Sequence, residues 1–157
     1  MDPHRRSGGA MTEFKRVGQH MAVKAAHIID RSESAHSKEL RARFRQLPGQ
    51  LRISGLTATY AFLASRESSP SAEGLQKAYK EVTEQIREHL VEKSPIGDGA
   101  IGTDLPKAHH ETLTALGKMG PLDYARATRE ISELFVWLRR LSDTVSPRGP
   151  ERSEDNR

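Results

Sequence analysis

Basic side chains recur at helical spacing between residues 38 and 52. Arg41, Arg45 and Arg52 lie four and eleven positions apart, so on a helix they point within about 40° of one another. Lys38 flanks them just before the first of these arginines. The guanidinium group is suited to bidentate contact with phosphate, and a line of such groups is typical of a surface that follows a nucleic-acid backbone. This spacing predicts a polyanion-binding face.

Two other segments supply further cations. Lys15 and Lys24 belong to the first helical pattern, and two pairs of arginines belong to the last one. A competing interpretation is that several arginines pair with Glu130, Glu133 or Asp143 on their own helix. The candidate nucleic-acid-binding residues are Lys15, Lys24, Lys38, Arg41, Arg45, Arg52, Arg126, Arg129, Arg139 and Arg140.

The seven histidines form no familiar metal motif. His20 and His27 share a helix face, but the chain has no H-x-x-x-H pair. The adjacent His109 and His110 cannot both face one ion on a helix. We therefore expect the histidines to be exposed on polar faces, and we expect neither a metal nor a cofactor.

Enzyme chemistry has no support in the motifs either. Cysteine is absent, which excludes a cysteine nucleophile and a cysteine-ligated metal. The glycine-rich stretch 97–102 follows no predicted strand and lacks the Lys-Ser/Thr pair of a phosphate-binding loop. The sequence therefore predicts a protein that is not an enzyme and has no small-molecule substrate.

The composition is that of a small domain with an uneven charge. The length of 157 residues suits one domain with short extensions. Residues 1–66 carry twelve Lys and Arg against five Asp and Glu, although the net charge of the whole chain is only +4. No apolar run approaches the roughly 18 residues that span a bilayer. These features predict a cytoplasmic protein that does not bind membranes.

The elements that would position the basic residues are all helical. Apolar residues recur at steps of three and four in six segments, and no alternating pattern of a strand persists. We predict an all-α compact bundle over residues 12–145, with disordered tails at 1–11 and 146–157. Thr12 is the expected first cap, and Pro48 is the expected site of a kink or short break. The predicted helices are about 12–31, 37–54, 56–65, 72–93, 106–118 and 122–145.

Two stretches resemble a known family. Residues 44–66, FRQLPGQLRISGLTATYAFLASR, carry a Leu-Pro, then a Gly-Leu, then a Thr-Leu-Ala-Phe-Leu-like helix. Residues 122–145, LDYARATREISELFVWLRRLSDTV, carry a Tyr-x-x-Ala-Thr-x-Glu-like run that leads to Trp-Leu-Arg-Arg-Leu. These patterns are similar to those of the Cmr-type small subunit of type III-B CRISPR effector complexes. The family usually has Asn before the Gly-Leu pair, whereas this chain has Ser54.

The resemblance implies a role in a ribonucleoprotein. Subunits of this family are non-catalytic helical bundles that stack in several copies as the minor filament of an antiviral effector complex. The implied partners are guide RNA and target RNA, the backbone and large subunits, and copies of the chain itself. Without sequence readout, affinity for RNA would come mainly from phosphate contacts.

Two alternatives stay open at the level of sequence. One is a helical adaptor whose basic surface meets an acidic protein and never contacts RNA. The other is a helix-turn-helix regulator of duplex DNA, with the segment from Leu56 as its recognition helix. That segment is apolar nearly all round, which is unsuitable for a helix that lies in a DNA groove.

Overall fold

The described part of the chain forms five helices. The computed structural model describes residues 7–32, 38–68, 73–93 and 105–145, with side chains described for all of them except 7–15, 73–74, 93, 105–107 and 145. No residue in these ranges is in a strand. The all-α prediction is confirmed. The helices are α1 (Ser7–Arg31), α2 (Lys38–Glu67), α3 (Glu73–Lys93), α4 (Leu105–Lys118) and α5 (Pro121–Val145).

The core is built from the apolar stripes of these helices. Side chains spaced three and four apart, such as Met21, Ala25 and Ile28 of α1, bring one face of each helix into a single cluster. Helices α1 and α2 each pack against both α3 and α5, whereas α4 packs against α2. The largest fully buried side chains include Tyr60, Phe44 and Phe135. The bundle therefore has four central elements and one outer helix.

Helix α2 is interrupted at Gly55. This residue has φ 80° and ψ 171°, a conformation that side-chain-bearing L-residues rarely adopt. The amides that follow a break lack partners within the helix. The hydroxyl of Tyr124 accepts a hydrogen bond from the Thr57 amide at 3.1 Å, and thereby caps the second half of α2 from another helix. Tyr124 lies in the first turn of α5, which begins at Pro121. Its amide donates to the Gly120 carbonyl at 2.9 Å.

The non-helical backbone at Gly55 kinks α2. Burial raises the pKa of the Tyr79 hydroxyl on α3, and the guanidinium groups of Arg43 and Arg66, one from each half of α2, partly offset the rise. The gap between the predicted helices 37–54 and 56–65 is confirmed at Gly55, and we number the two helical stretches as one element, α2.

Some predicted boundaries differ from the structure. The backbone stays helical through Pro48, so the short break predicted there is wrong, and the non-helical residue is Gly55. Glycine takes a positive φ without steric cost, whereas the fixed φ of proline is itself compatible with a helix. Thr12 lies inside α1, which begins at Ser7, and is therefore not its cap. The predicted tails were 1–11 and 146–157. Residues 7–11 belong to α1, and residues 1–6 and 146–157 lie outside the described residues.

The described helices contain no stretch suited to crossing a bilayer. Among the described residues, none of the helices combines the length and the apolar character that a membrane span requires.

Candidate nucleic-acid interface

An ion pair fixes the first half of α2 against α5. The Arg45 side chain donates two hydrogen bonds to Asp143 Oδ1, from Nε at 3.0 Å and from Nη2 at 2.6 Å. At the other end of the pair of helices, Gly55 lies against the Tyr124 hydroxyl. These two contacts make the first half of α2 antiparallel to α5. The predicted pairing of Asp143 with an arginine does occur, but the partner comes from α2 and not from α5 itself.

Three more arginines lie along the same edge. Arg41 and Arg52 share the helical face of Arg45, and Arg139 lies one turn before Asp143 on α5. We call Arg41, Arg45, Arg52 and Arg139 the basic strip. Among the described residues, no carboxylate pairs with Arg41, Arg52 or Arg139. The predicted alignment of the α2 arginines therefore produces a row in which only the Arg45 charge is neutralised.

The guanidinium of Arg41 is only partly hydrated. Its Nε atom is buried and has no hydrogen-bond partner among the described residues. A buried donor that is left unpaired costs about 1–3 kcal/mol. The guanidinium is therefore poorly solvated in the free protein, and an anion that accepts hydrogen bonds from it would displace little water.

The other predicted residues lie in different surroundings. Lys24 is buried and donates to Gln85 Oε1 at 3.3 Å, so it belongs to the packed interior and not to an RNA-binding surface. Arg126 donates to Glu130 Oε1 at 3.3 Å, which is the pairing within one helix that the competing interpretation expected. Arg129 is exposed and interacts with another group of the protein.

Three predicted residues are left. Arg140 is exposed and stacks on Trp137, with its guanidinium carbon 5.4 Å from the ring centroid. Lys38 is exposed at the start of α2 and has no ion pair among the described residues. The side chain of Lys15 lies outside the described residues.

A polar cluster that the sequence did not reveal joins α2, α3 and α4. His109 Nε2 lies 2.5 Å from Glu67 Oε2, so the ring donates to this carboxylate, and Thr83 donates to the other Glu67 oxygen. With Nε2 protonated, His109 Nδ1 accepts from the Tyr60 hydroxyl at 2.7 Å. Arg87 Nη1 donates to the same hydroxyl at 3.1 Å. We call these five residues the His109 cluster, and both nitrogens of its imidazole are in use.

Burial shapes the chemistry of this cluster. Arg87 is only 8% exposed, and Tyr60 is fully buried. Burial raises the pKa of the Tyr60 hydroxyl, while the adjacent Arg87 cation offsets part of the rise. The hydroxyl therefore stays protonated at neutral pH and can donate to His109. The cluster attaches the outer helix α4 to α2.

A second cluster joins α1, α3 and α5. His89 is 1% exposed, and its Nε2 lies 2.6 Å from the Glu130 carboxylate. Its Nδ1 is buried and has no hydrogen-bond partner in the described part of the chain. On the solvent side, His20 Nε2 lies 3.3 Å from Glu92 Oε2. We call His20, His89, Glu92 and Glu130 the His89 cluster.

Burial lowers the pKa of His89. The hydrogen bond to Glu130 and its charge act in the opposite direction, and Lys24 and His20 add to the lowering. The net direction favours a neutral imidazole at neutral pH, with its proton on Nε2 and a lone pair on Nδ1.

The expectation that the histidines are exposed on polar faces is wrong for His89 and His109. Each has a carboxylate partner more than forty positions away in the chain, Glu130 for His89 and Glu67 for His109. A search for local motifs cannot find such pairs. One available signal was that position 89 continues the apolar face formed by Ile86 and Leu90 on α3.

Comparison with known proteins establishes the family. The model of the family described as CRISPR-associated protein (Cas_Cmr5) matches residues 16–145, which includes most of α1 and all of the other described helices. No curated protein sequence matches the chain significantly. The match covers both stretches that carry the resemblance, and it confirms that resemblance. The chain belongs to the CRISPR-associated protein (Cas_Cmr5) family and is a small subunit of a multi-subunit type III CRISPR effector complex.

Proposed function

We propose that this chain is the non-catalytic small subunit of a type III-B complex and that its basic strip holds the guide RNA–target RNA duplex. Several copies stack as the minor filament of the complex, which acts in antiviral defence in the cytoplasm. The family membership supports the assignment to a CRISPR complex. The contacts with RNA and between copies are our inference from the surface of the bundle.

The observation that carries the RNA-binding proposal is the arrangement of the basic strip. Arg41, Arg52 and Arg139 lie along one edge between α2 and α5, and no carboxylate among the described residues pairs with them. A duplex backbone presents phosphates at regular spacing, and guanidinium groups contact them without reading sequence. Base pairing between guide and target would supply the specificity, as in other RNA-guided complexes.

The Arg45–Asp143 pair has a different task in this proposal. Its two hydrogen bonds, both to Asp143 Oδ1, join α2 to α5 at a separation that keeps the neighbouring arginines on one edge. Asp143 also offsets one positive charge in the strip. The contacts with phosphate are therefore assigned to Arg41, Arg52 and Arg139, and Arg45 holds the two helices in register.

Two exposed apolar side chains support stacking between copies. Ile53 and Leu122 are 85% and 86% exposed, although large aliphatic side chains are usually buried. Ile53 lies two residues before Gly55, and Leu122 lies two residues before Tyr124. Because Gly55 and Tyr124 are in contact, both apolar side chains lie at the same end of the bundle. We expect Ile53→Lys with Leu122→Lys to weaken self-association in analytical ultracentrifugation. Unchanged association would exclude this end of the bundle as the contact between copies.

The RNA-binding proposal is tested in the assembled complex. We would replace Arg52 and Arg139 by Gln in this subunit and measure the affinity of the guide-loaded complex for target RNA at several salt concentrations. Removing one phosphate contact should reduce the slope of log K against log salt concentration by about one for every copy that binds the RNA. We expect weaker binding of all target sequences and a shallower slope.

The matched control removes two charges elsewhere. Arg16 on α1 and Lys80 on α3 are exposed and lie outside the basic strip. Replacing both by Gln changes the net charge equally, but should leave the slope unchanged. If the two double variants behave alike, the strip does not contact RNA, and the adaptor with an acidic protein partner becomes the better interpretation.

The structure offers no support for a helix-turn-helix regulator. The segment that would read DNA, the second half of α2, has Leu56, Thr59, Tyr60 and Leu63 buried in the bundle. A recognition helix must expose the face that enters the groove.

A further inference from the structure

The imidazole of His89 lies buried in the bundle. His89 Nδ1 is enclosed by the bundle and makes no hydrogen bond with the described residues, although the side chain is only 1% exposed. Polar atoms that are buried in proteins are nearly always paired, so an unpaired one calls for an explanation. The other nitrogen of the ring is already engaged with Glu130 at 2.6 Å.

Two more metal-binding side chains lie beside this ring. The centroids of the His20 and His89 rings are 6.4 Å apart. His20, His89 and Glu92 each offer a ligand atom, and these three atoms lie within 4.8 Å of one another. Helix α1 supplies one of the three residues, and α3 supplies two of them at i and i+3 spacing. This spacing places His89 and Glu92 on the same face of α3.

We propose that His20, His89 and Glu92 bind a divalent transition-metal ion, with Zn²⁺ as the best-suited ion and His89 Nδ1 as the buried ligand. Two imidazoles and one carboxylate are a donor set that Zn²⁺ accepts, with water in the fourth position. Nothing in this inference depends on RNA binding.

Glu130 would act as a positioning residue for the metal site. A histidine that binds a metal through one nitrogen commonly donates the proton of the other nitrogen to a carboxylate. The contact between His89 Nε2 and Glu130 has this arrangement, and it keeps the lone pair on Nδ1.

The nearby Lys24 opposes binding. Its ammonium nitrogen lies 3.9 Å from Glu92 Oε1 and 3.8 Å from a Glu88 oxygen, so it shares Glu92 with the proposed metal. A positive charge at this position repels a cation, and Lys24→Gln should therefore increase the affinity. This expectation distinguishes an ion bound between α1 and α3 from ions held elsewhere on the chain.

Binding would connect three helices of the bundle. His20 lies on α1, His89 and Glu92 lie on α3, and Glu130 on α5 is attached to His89. An ion that binds only the folded state stabilises that state in proportion to the logarithm of its concentration above Kd. The ion would thus hold α1 against α3, where the His20–Glu92 pair is half-exposed on both sides and contributes little.

The experiment measures metal binding by the full chain without a histidine tag. After treatment with a chelator, the protein is titrated with Zn²⁺ by calorimetry and with Co²⁺ by visible absorption. We expect one saturable site per chain and Co²⁺ bands typical of four-coordination. We also expect a rise in Tm with Zn²⁺.

Variants then locate the site. His20→Gln and Glu92→Gln alter half-exposed positions, so the fold should persist, and each should weaken binding at least tenfold. Glu130→Gln should weaken it by about 10-fold to 100-fold. His27→Gln, two turns further along α1 and exposed, is the matched control and should bind like the parent chain.

Two outcomes would overturn the proposal. One is the absence of a saturable site in the parent chain at millimolar Zn²⁺. The other is equal affinity in the parent, His20→Gln and Glu92→Gln chains, which would assign the bound ion to other residues.

Discussion

The two buried histidines of this bundle have the same kind of partner but different surroundings. In each case Nε2 contacts a carboxylate on another helix, at 2.5 Å for His109 and 2.6 Å for His89. In the His109 cluster the second nitrogen accepts a hydrogen bond from Tyr60. In the His89 cluster the second nitrogen has no partner among the residues that the structure describes. The first cluster is saturated, and the second has an unused ligand atom.

The charges of the two clusters differ as well. The His109 cluster contains the guanidinium of Arg87, which is nearly excluded from water. The cation closest to Glu130 is Arg126, whose side chain is 57% exposed. A buried cation needs a counter-charge within the protein, whereas an exposed cation is solvated by water. The His109 cluster should therefore contribute more to stability, and the His89 cluster is better placed for ligand binding.

The largest expected effect comes from neutralising each carboxylate. Glu67→Gln and Glu130→Gln both leave an amide oxygen that can accept from the imidazole, so the main change is the lost charge. Glu67→Gln removes the carboxylate that accepts from His109 and Thr83, which is the only negative charge in the cluster that contains Arg87, and should lower the free energy of unfolding by about 2 kcal/mol. Glu130→Gln should cost about 1 kcal/mol, because His89 is neutral and Arg126 is hydrated.

Urea unfolding of the two variants measures this difference. The m-value should stay constant, since the same surface is exposed on unfolding. Equal losses in the two variants would show that Arg87 does not depend on Glu67, and the proposed difference between the clusters would be wrong.

The next effect is a pH dependence that belongs to the His109 cluster. Burial raises the pKa of Tyr60 in the folded state above its ordinary value of 10.0. Above pH 10 the unfolded chain therefore loses this proton while the folded chain keeps it. Stability should fall as pH rises, by at most about 1.4 kcal/mol per pH unit for this group.

Tyr60→Phe should remove the contribution of this hydroxyl to the fall of the free energy of unfolding above pH 10. Burial also raises the pKa of Tyr79. Tyr79→Phe is therefore the matched variant, because it keeps the contribution of the Tyr60 hydroxyl to the pH dependence. The measurement is the free energy of unfolding between pH 9 and pH 11. An unchanged slope in Tyr60→Phe would mean that the hydroxyl is not held in its protonated form by the folded state.

The smallest effects come from the outer contacts of the two carboxylates. Thr83 is fully buried and donates to Glu67, so Thr83→Val should cost about 1 kcal/mol. Arg126 bonds to Glu130 from a half-exposed position, so Arg126→Gln should cost about 0.5 kcal/mol or less. Thermal unfolding at matched pH would rank the two variants. A larger loss of stability in Arg126→Gln than in Thr83→Val would contradict the difference in burial between the two contacts.

The helices themselves could be predicted well. Apolar spacing placed the helices close to their observed ranges, because one buried face per helix is enough to define it. The gap between the predicted helices 37–54 and 56–65 falls at Gly55, which is the non-helical residue of α2, whereas the further break predicted at Pro48 is wrong. Proline can occupy a helical conformation, whereas the positive φ at residue 55 is one that glycine adopts without steric cost.

The basic strip could be predicted only in part. Helical spacing correctly aligned Arg41, Arg45 and Arg52, since it depends on residues of a single helix. It could not show that Asp143 neutralises Arg45, or that Lys24 is buried against α3. Both results depend on which helices pack together, and spacing along one helix carries no information about that.

The amino-acid sequence by itself determined the all-helical class, the buried faces, the line of arginines on α2 and the family. Each of these follows from local periodicity or from a contiguous motif. Only the packing of the helices settles which charges are paired and brings His20, His89 and Glu92 together. Those features join side chains separated by up to about a hundred positions, and only the packing of the helices brings such distant groups within the few ångströms over which hydrogen bonds and coordination act.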